Sequence, residues 1–193
     1  MARVGIFSGT FDPVHIGHIE FAIAAAREAQ LEKVILLPER HPRGKAGVTS
    51  FADRVAMLKL ATQNQPMFEV TELDDERFTV DTTLPKLQLK YGRDLSLLIG
   101  SDVARTFVDR WPGLDKLLQQ MELIIALRGT DSENQIKKVM SQIGAARFLC
   151  IASPKEQAAS SKIRTGNAKT QLDPNVQTYI ATKRLYPLAL GTN

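Results

Sequence analysis

Ten consecutive residues, Gly9-Thr10-Phe11-Asp12-Pro13-Val14-His15-Ile16-Gly17-His18, carry the side-chain types that handle phosphate. They follow the apolar run Val4 to Phe7 and precede an alanine-rich helical run from Ile19 to Ala29. That order predicts a strand, a tight glycine turn and a helix start. A helix start offers unpaired backbone N–H groups and the positive end of the helix dipole, which together hold anions. His15 and His18 are three apart, so both are expected on one face of the first turn, aimed at one bound anion. The expected ligand is a nucleoside triphosphate on which chemistry is done. A zinc site on His15 and His18, with His41 as third ligand, lacks a convincing donor set. The single cysteine, Cys150, sits in a separate apolar run. No protein metal site is expected.

The elements that must position these residues are legible as apolar runs. Buried strands are predicted at Val4–Phe7, Lys33–Leu37, Phe68–Val70, Leu95–Ile99, Leu123–Leu127 and Phe148–Ile151. Helical patterns fall between them, at about Ile16–Gln30, Phe51–Gln63, Thr82–Tyr91, Val103–Val108, Leu114–Met121 and Ser132–Ile143. A last helix is predicted at about Asn175–Arg184. Ser50 followed three residues later by Asp53 marks the start of the second helix. Pro85 conflicts with its helix, which is expected to start late or to kink. Strands alternating with helices predict an α/β fold, a doubly wound, Rossmann-like and mostly parallel sheet, with a small C-terminal helical part.

In such sheets ligands bind outside the carboxyl ends of the strands. Five segments follow predicted strands and carry glycines, cations, hydroxyls or a carboxylate. They are Gly9 to His18, Pro38 to Lys45, Gly100-Ser101-Asp102, Arg128-Gly129-Thr130 and Ser160-Ser161-Lys162-Ile163-Arg164. Together they predict one anionic-ligand site on one rim.

Composition sets outer limits. The chain has 193 residues, 44% hydrophobic and 24% charged, as expected for one globular domain over 1–193, with the C-terminal motif and helices at about 153–193. The formal charge of +4 is spread along the chain, so phosphorylated small molecules explain it as well as nucleic acid does. One cysteine excludes an internal disulfide and suits a reducing cytoplasm. The N-terminus turns polar too early for a signal peptide, and no apolar run approaches the roughly 20 residues of a membrane span. Neither nucleic acid nor membrane is an expected partner.

No G-x-x-x-x-G-K-[ST] loop, G-x-G-x-x-G fingerprint or G-x-S-x-G elbow is present, which disfavours the enzymes that use them. An array of cations and backbone N–H groups remains. It suits transfer at phosphorus, where catalysis is positioning plus charge stabilisation. A phosphate nucleophile is already ionised near neutral pH and needs no general base.

The ten-residue run closely resembles the signature of the HIGH-motif nucleotidyltransferase superfamily. Further landmarks run in order: Leu37-Pro38 with Pro42 and Lys45, Asp53-Arg54, Thr79-Val80-Asp81-Thr82, Gly100-Ser101-Asp102 with Trp111, Leu127-Arg128, and Ser160 to Arg164. Nearly end to end, the chain resembles the nicotinate-mononucleotide adenylyltransferase family. The resemblance implies adenylyl transfer from ATP to nicotinate mononucleotide, with magnesium, in NAD biosynthesis. It implies that His15 and His18 contact the ATP phosphates, with His18 stabilising charge at the α-phosphate. It places Gly9, Thr10, Phe11, Gly17, Gly100, Asp102, Arg128, Ser161, Ile163 and Arg164 around ATP. Ser161 and Arg164 would grip the outgoing pyrophosphate. Thr10, Lys45, Thr82 and Trp111 would take the acceptor, with Lys45 between the two substrates and Trp111 stacking on the pyridine.

The departures touch the acceptor side more than the ATP side. Glu39 stands where the family's loop has asparagine, Gly44 where it has histidine, and Lys162 where threonine is expected. Glu39 disfavours an extra negative group nearby. The alternatives are therefore another transferase of the superfamily, acting on a phosphopantetheine, a nicotinamide nucleotide or a cytidine nucleotide, or a nucleotide-binding protein without turnover. RNA binding is a third alternative, since HIGH motifs also occur in aminoacyl-tRNA synthetases.

Overall fold

The computed structural model describes residues 3–42, 44–109, 111–152, 159–165 and 171–186. Its strands are β1 (Val4–Gly9), β2 (Lys33–Pro38), β3 (Phe68–Val70), β4 (Leu95–Gly100), β5 (Glu122–Leu127) and β6 (Phe148–Ala152). They form one sheet in the order β3-β2-β1-β4-β5-β6, with every pair parallel. This is the doubly wound order, and its switch point lies between β1 and β4.

The helices are α1 (Ile16–Glu28), α2 (Phe51–Thr62), α3 (Thr83–Tyr91), α4 (Ser101–Thr106), α5 (Leu114–Gln120), α6 (Glu133–Gln142), α7 (Ser160–Arg164) and α8 (Pro174–Lys183). A 3-10 turn, Phe107–Asp109, follows α4. Among the described residues no helix is long and apolar enough to cross a membrane.

Both faces of the sheet are covered, which is why its strands read as continuous apolar runs. Side chains alternate by strand pleat. Phe7, Leu36, Leu98 and Ile124 point into a core shared with Phe21, Ala22 and Ala25 of α1 and with Val176 and Ile180 of α8. Ile6, Ile35, Leu97 and Ile125 point the other way, towards Leu84 and Leu87 of α3, Leu117 of α5 and Ile136 of α6. The second core also holds Phe78 and Phe107 and borders Trp111.

Local chemistry explains the element ends. Ser50 caps α2, its hydroxyl oxygen accepting the Asp53 N–H at 3.1 Å. Pro85 is the third residue of α3, where its missing N–H would have had no partner, so the helix runs unbroken from Thr83. The alanine-rich first helix ends at Glu28, two residues short of the expected Gln30, which has φ 52°. The larger correction is α4. Gly100-Ser101-Asp102 is a direct join rather than a loop after the strand, with Ser101 and Asp102 forming the first turn of the helix. Ser101 is fully buried. Its hydroxyl donates to Asp131 at 2.6 Å and accepts the Arg128 N–H at 3.1 Å, which satisfies the buried polar group.

Candidate active site

The carboxyl ends of β1, β2, β4 and β5, with α7, surround a cavity of about 580 Å³, within the usual size of small-molecule sites. All five rim segments singled out by the sequence reach it. Its wall includes Gly9, Thr10, Phe11, His15 and His18; Glu39, Pro42 and Lys45; Gly100 and Asp102; Arg128; and Ser160, Ser161 and Arg164. The cavity lies at the topological switch point, where the crevice between β1 and β4 opens.

The two histidines meet differently from the expected helical pair. His15 is the residue before α1, in extended conformation at φ −141° and ψ 168°. Its N–H donates to His18 Nδ1 at 3.2 Å, and the rings stack with centroids 3.7 Å apart. His15 Nδ1 is buried without a hydrogen-bond partner among the described residues, so the site holds an unspent polar atom. Burial, and then the Arg128 charge, lower the His15 pKa to about 4. Burial, followed by His15, Arg128 and Lys45, depresses His18 well below the ordinary histidine value. Both rings are therefore neutral near pH 7. Because His18 Nδ1 accepts a hydrogen bond, the proton of its neutral ring is on Nε2, which can donate. Phe11 lies edge-on to both Phe7 and His18, at 5.3 and 5.2 Å. Phe11 has φ 51°, a left-handed conformation that a bulky residue holds only when packing fixes it. A Cβ on Gly9 would press on the Phe11 ring at 3.2 Å, so glycine is needed beneath it.

Cations approach from three directions. Lys45 Nζ donates to Thr10 Oγ1 at 2.8 Å. Partial desolvation and the Arg164 charge pull its ammonium below the usual lysine value. Arg164 Nη1 donates to the Asp12 carbonyl at 2.7 Å. Arg128 Nη1 stands 3.7 Å from Asp102 Oδ1. A Cβ on Gly100 would run into the Asp102 carboxylate and the Arg128 guanidinium, so this glycine keeps the two charged groups at the same rim.

The opposite wall is aromatic. Trp111 stacks on Phe78, centroids 6.4 Å apart and planes 17° from parallel, and tilts against Phe107 at 5.6 Å. Both Trp111 and Phe78 face the cavity.

Three residues expected around the ligands do not line the cavity wall. Gly17 is buried within α1. Ile163 packs its side chain into the first core. Thr82 is exposed, its hydroxyl bonded to Thr79 Oγ1 at 2.6 Å, and Phe78 occupies the wall instead. Arg43 of the β2–α2 loop and the polar run at 153–158 lie outside the described residues. Gly44 sits at φ 65°, so a left-handed turn accounts for glycine there.

Other residues of the site were not singled out as such. Arg54, only 1% exposed, donates to the carbonyls of Thr10 at 2.7 Å, Thr49 at 3.0 Å and Arg40 at 3.3 Å. It ties the glycine turn to the β2–α2 loop. An arginine on the same stripe as Leu58 and Ala61 was the available signal. Asp12 is buried and accepts the Tyr186 hydroxyl at 2.5 Å. Ser160 Oγ donates to the Pro13 carbonyl at 3.0 Å. Burial, then the Asp12 hydrogen bond, push the Tyr186 pKa far up, so it stays a donor. The C-terminal segment thus clasps the Gly9–His18 turn.

Residues 6–166 match the cytidylyltransferase-like family model. A protein of Neisseria meningitidis serogroup C, named a probable nicotinate-nucleotide adenylyltransferase, is 33% identical over 96% of this chain and 99% of its own. One of the same name from Moorella thermoacetica is 35% identical over 95% of this chain and 91% of its own. The Plasmodium falciparum nicotinic acid mononucleotide adenylyltransferase solved with NaAD superposes with a TM-score of 0.76 at 21% identity, over 98% of this chain and 100% of that one, and shows the same fold. By sequence, fold and the order of its motifs, the chain belongs to the cytidylyltransferase-like family and groups within it with the nicotinate-nucleotide adenylyltransferases.

Proposed function

We propose that this chain transfers the adenylyl group of ATP to nicotinate mononucleotide, giving nicotinate adenine dinucleotide and pyrophosphate. One observation carries the reading: a single cavity joins a phosphate-binding end, with His15, His18, Lys45 and Arg164, to an aromatic end with Phe78 and Trp111. The first suits a triphosphate and the second a flat ring.

A phosphate oxygen of the mononucleotide attacks the α-phosphorus of ATP. The bond from that phosphorus to the bridging oxygen breaks, and its electron pair leaves with pyrophosphate. His18 Nε2–H donates to the oxygen on which charge grows, and Lys45 screens the two phosphate groups from each other. Ser161 and Arg164 hold the departing pyrophosphate, with Arg164 turning from the Asp12 carbonyl. Asp102, at the first turn of α4, takes ribose hydroxyls, and Trp111 stacks on the pyridine. Such donors act mainly by being in place before charge develops.

Magnesium belongs with the nucleotide in this reading. Asp12 is engaged by Tyr186, Asp102 stands beside Arg128, and no cluster of three or more metal-ligating side chains occurs among the described residues. That donor set does not fit a resident protein-bound ion. It would suit an ion brought by the nucleotide, which would supply neutralisation of phosphate charge there.

The test is a panel of acceptors incubated with ATP and magnesium, with products identified by mass. Nicotinate adenine dinucleotide and pyrophosphate in equal amounts are expected. Turnover of phosphopantetheine without any pyridine nucleotide, or no pyrophosphate from any acceptor, would overturn the reading.

A further inference from the structure

Beside the aromatic end the cavity wall carries two opposite charges that adenylyl transfer itself does not require, Arg77 and a Glu39 whose carboxylate also acts on Lys45 and Arg54. Pleat alternation places Ser8 and Glu39 on the sheet face that carries Ile6 and Leu37, the face covered by Phe78, Phe107 and Trp111. Glu39 accepts the Ser8 hydroxyl at 3.3 Å, its one side-chain hydrogen bond among the described residues. Arg77 precedes Phe78 and also lines the cavity. Its guanidinium has one side-chain partner among the described residues, Glu76 at a weak 3.5 Å. Glu39 and Arg77 border a second, smaller recess together with Phe78, so they are neighbours on one wall. The His41 N–H donates to the Glu76 carbonyl at 2.9 Å, and Arg40 Nε to the Leu73 carbonyl at 2.8 Å, which tie the two segments together.

A planar guanidinium beside a ring-binding wall suits a carboxylate, which it can take bidentately; a carboxamide offers only one neutral acceptor. A carboxylate side chain on the same wall repels an acid and tolerates or accepts from an amide NH₂. We infer that Arg77 and Glu39 set, in opposite directions, the choice between an acid and an amide on the ring of the acceptor. Arg77 favours nicotinate mononucleotide, and Glu39 weakens that preference. The inference rests on the adenylyltransferase reading and adds the residues that select the acceptor. Neither residue contacts the transferred phosphorus.

The test compares kcat/KM for nicotinate mononucleotide and nicotinamide mononucleotide at saturating ATP, in the wild type, Arg77→Gln and Glu39→Gln. Arg77→Gln should lower the acid-to-amide ratio by about tenfold or more, at the modest end for a cut charge pair because the side chain is partly exposed. Glu39→Gln should raise the ratio by about threefold, as for removal of a nearby like charge in a wet site. Arg77→Lys, which keeps the charge but loses the fork, should fall between wild type and Arg77→Gln. It also stands in if Arg77→Gln does not fold. A merely structural role would lower both activities together and leave the ratio fixed. A ratio within twofold of wild type in either variant, or shifts of the same sign, would overturn the inference. If the wild type makes the dinucleotide but the ratios stay put, only this inference falls. If it makes no pyridine dinucleotide, the adenylyltransferase reading falls and takes this inference with it.

Discussion

The two ends of the cavity hold their polar groups in different ways. Against α1, groups are fixed by protein partners: His15 N–H on His18, Arg54 on the Thr10 carbonyl, Tyr186 on Asp12, and Ser160 on the Pro13 carbonyl. Against α3 and α5, Trp111 and Phe78 are placed by apolar packing with Phe107 and the second core, and Glu39 and Arg77 have one weak side-chain hydrogen bond each among the described residues. Transition-state charge is stabilised best by donors that need not reorganise. In the proposed reaction the first end suits that demand, and the second suits a flat ring. Substitutions at the first end should therefore cost rate with every acceptor, and those at the second should cost affinity or selectivity for one substrate.

The largest break is expected at His18. His18→Ala should lower kcat by about 10²–10³, the usual loss for one electrostatic donor, with KM changing much less. Steady-state kinetics with acid and amide acceptors should show the same loss for both. Arg164→Ala comes next. It should weaken ATP and pyrophosphate together by about ten- to a hundredfold in calorimetry, below the full effect of a buried pair because Arg164 is 39% exposed at its side chain. Nicotinate mononucleotide binding should be unchanged.

Trp111→Ala tests the other end. Losing one stacked aromatic contact should raise KM for the mononucleotide by about three- to tenfold, while KM for ATP stays near wild type. If ATP suffers equally, the two ends are not separate subsites.

The smallest effect at neutral pH is on stability. His15 has a folded pKa of about 4, below the unfolded value of about 6.5. The folded state therefore resists a proton that the unfolded chain accepts. The stability contributed by the neutral ring is intact above about pH 6.5, falls as pH drops towards 4, and changes no further below that. The loss is about 2 kcal/mol by pH 5. His15→Gln should remove it, so urea unfolding of wild type and variant should differ in its change between pH 7 and pH 5. Parallel curves would contradict a neutral buried His15.

The strands and the rim were legible in the sequence because a parallel sheet buried on both faces writes itself as apolar runs, and ligands collect at one end of it. Residues just past each run, from Gly9 to Arg164, could be named without coordinates. The join at Ser101 was not legible, since a buried serine held by Asp131 looks the same in sequence as a serine in a loop. Tyr186 on Asp12 spans 174 residues and leaves no local pattern. Thr82 was placed at the acceptor by motif alone, and a threonine turn with Thr79 holds it outside the wall. Motifs locate a segment well; which side chain of the segment faces the ligand depends on the turn that follows.

In the proposed reaction the cavity brings two substrates together for direct transfer, with no adenylyl group resting on His15, His18, Lys45 or Ser161. The stereochemistry at the α-phosphorus tests it most directly. With ATP in which one sulfur replaces a non-bridging oxygen, so that the α-phosphorus is a single stereocentre, one in-line attack by the acceptor predicts a dinucleotide of inverted configuration. Retention would mean two displacements through a covalent adenylyl-enzyme, and would contradict the account.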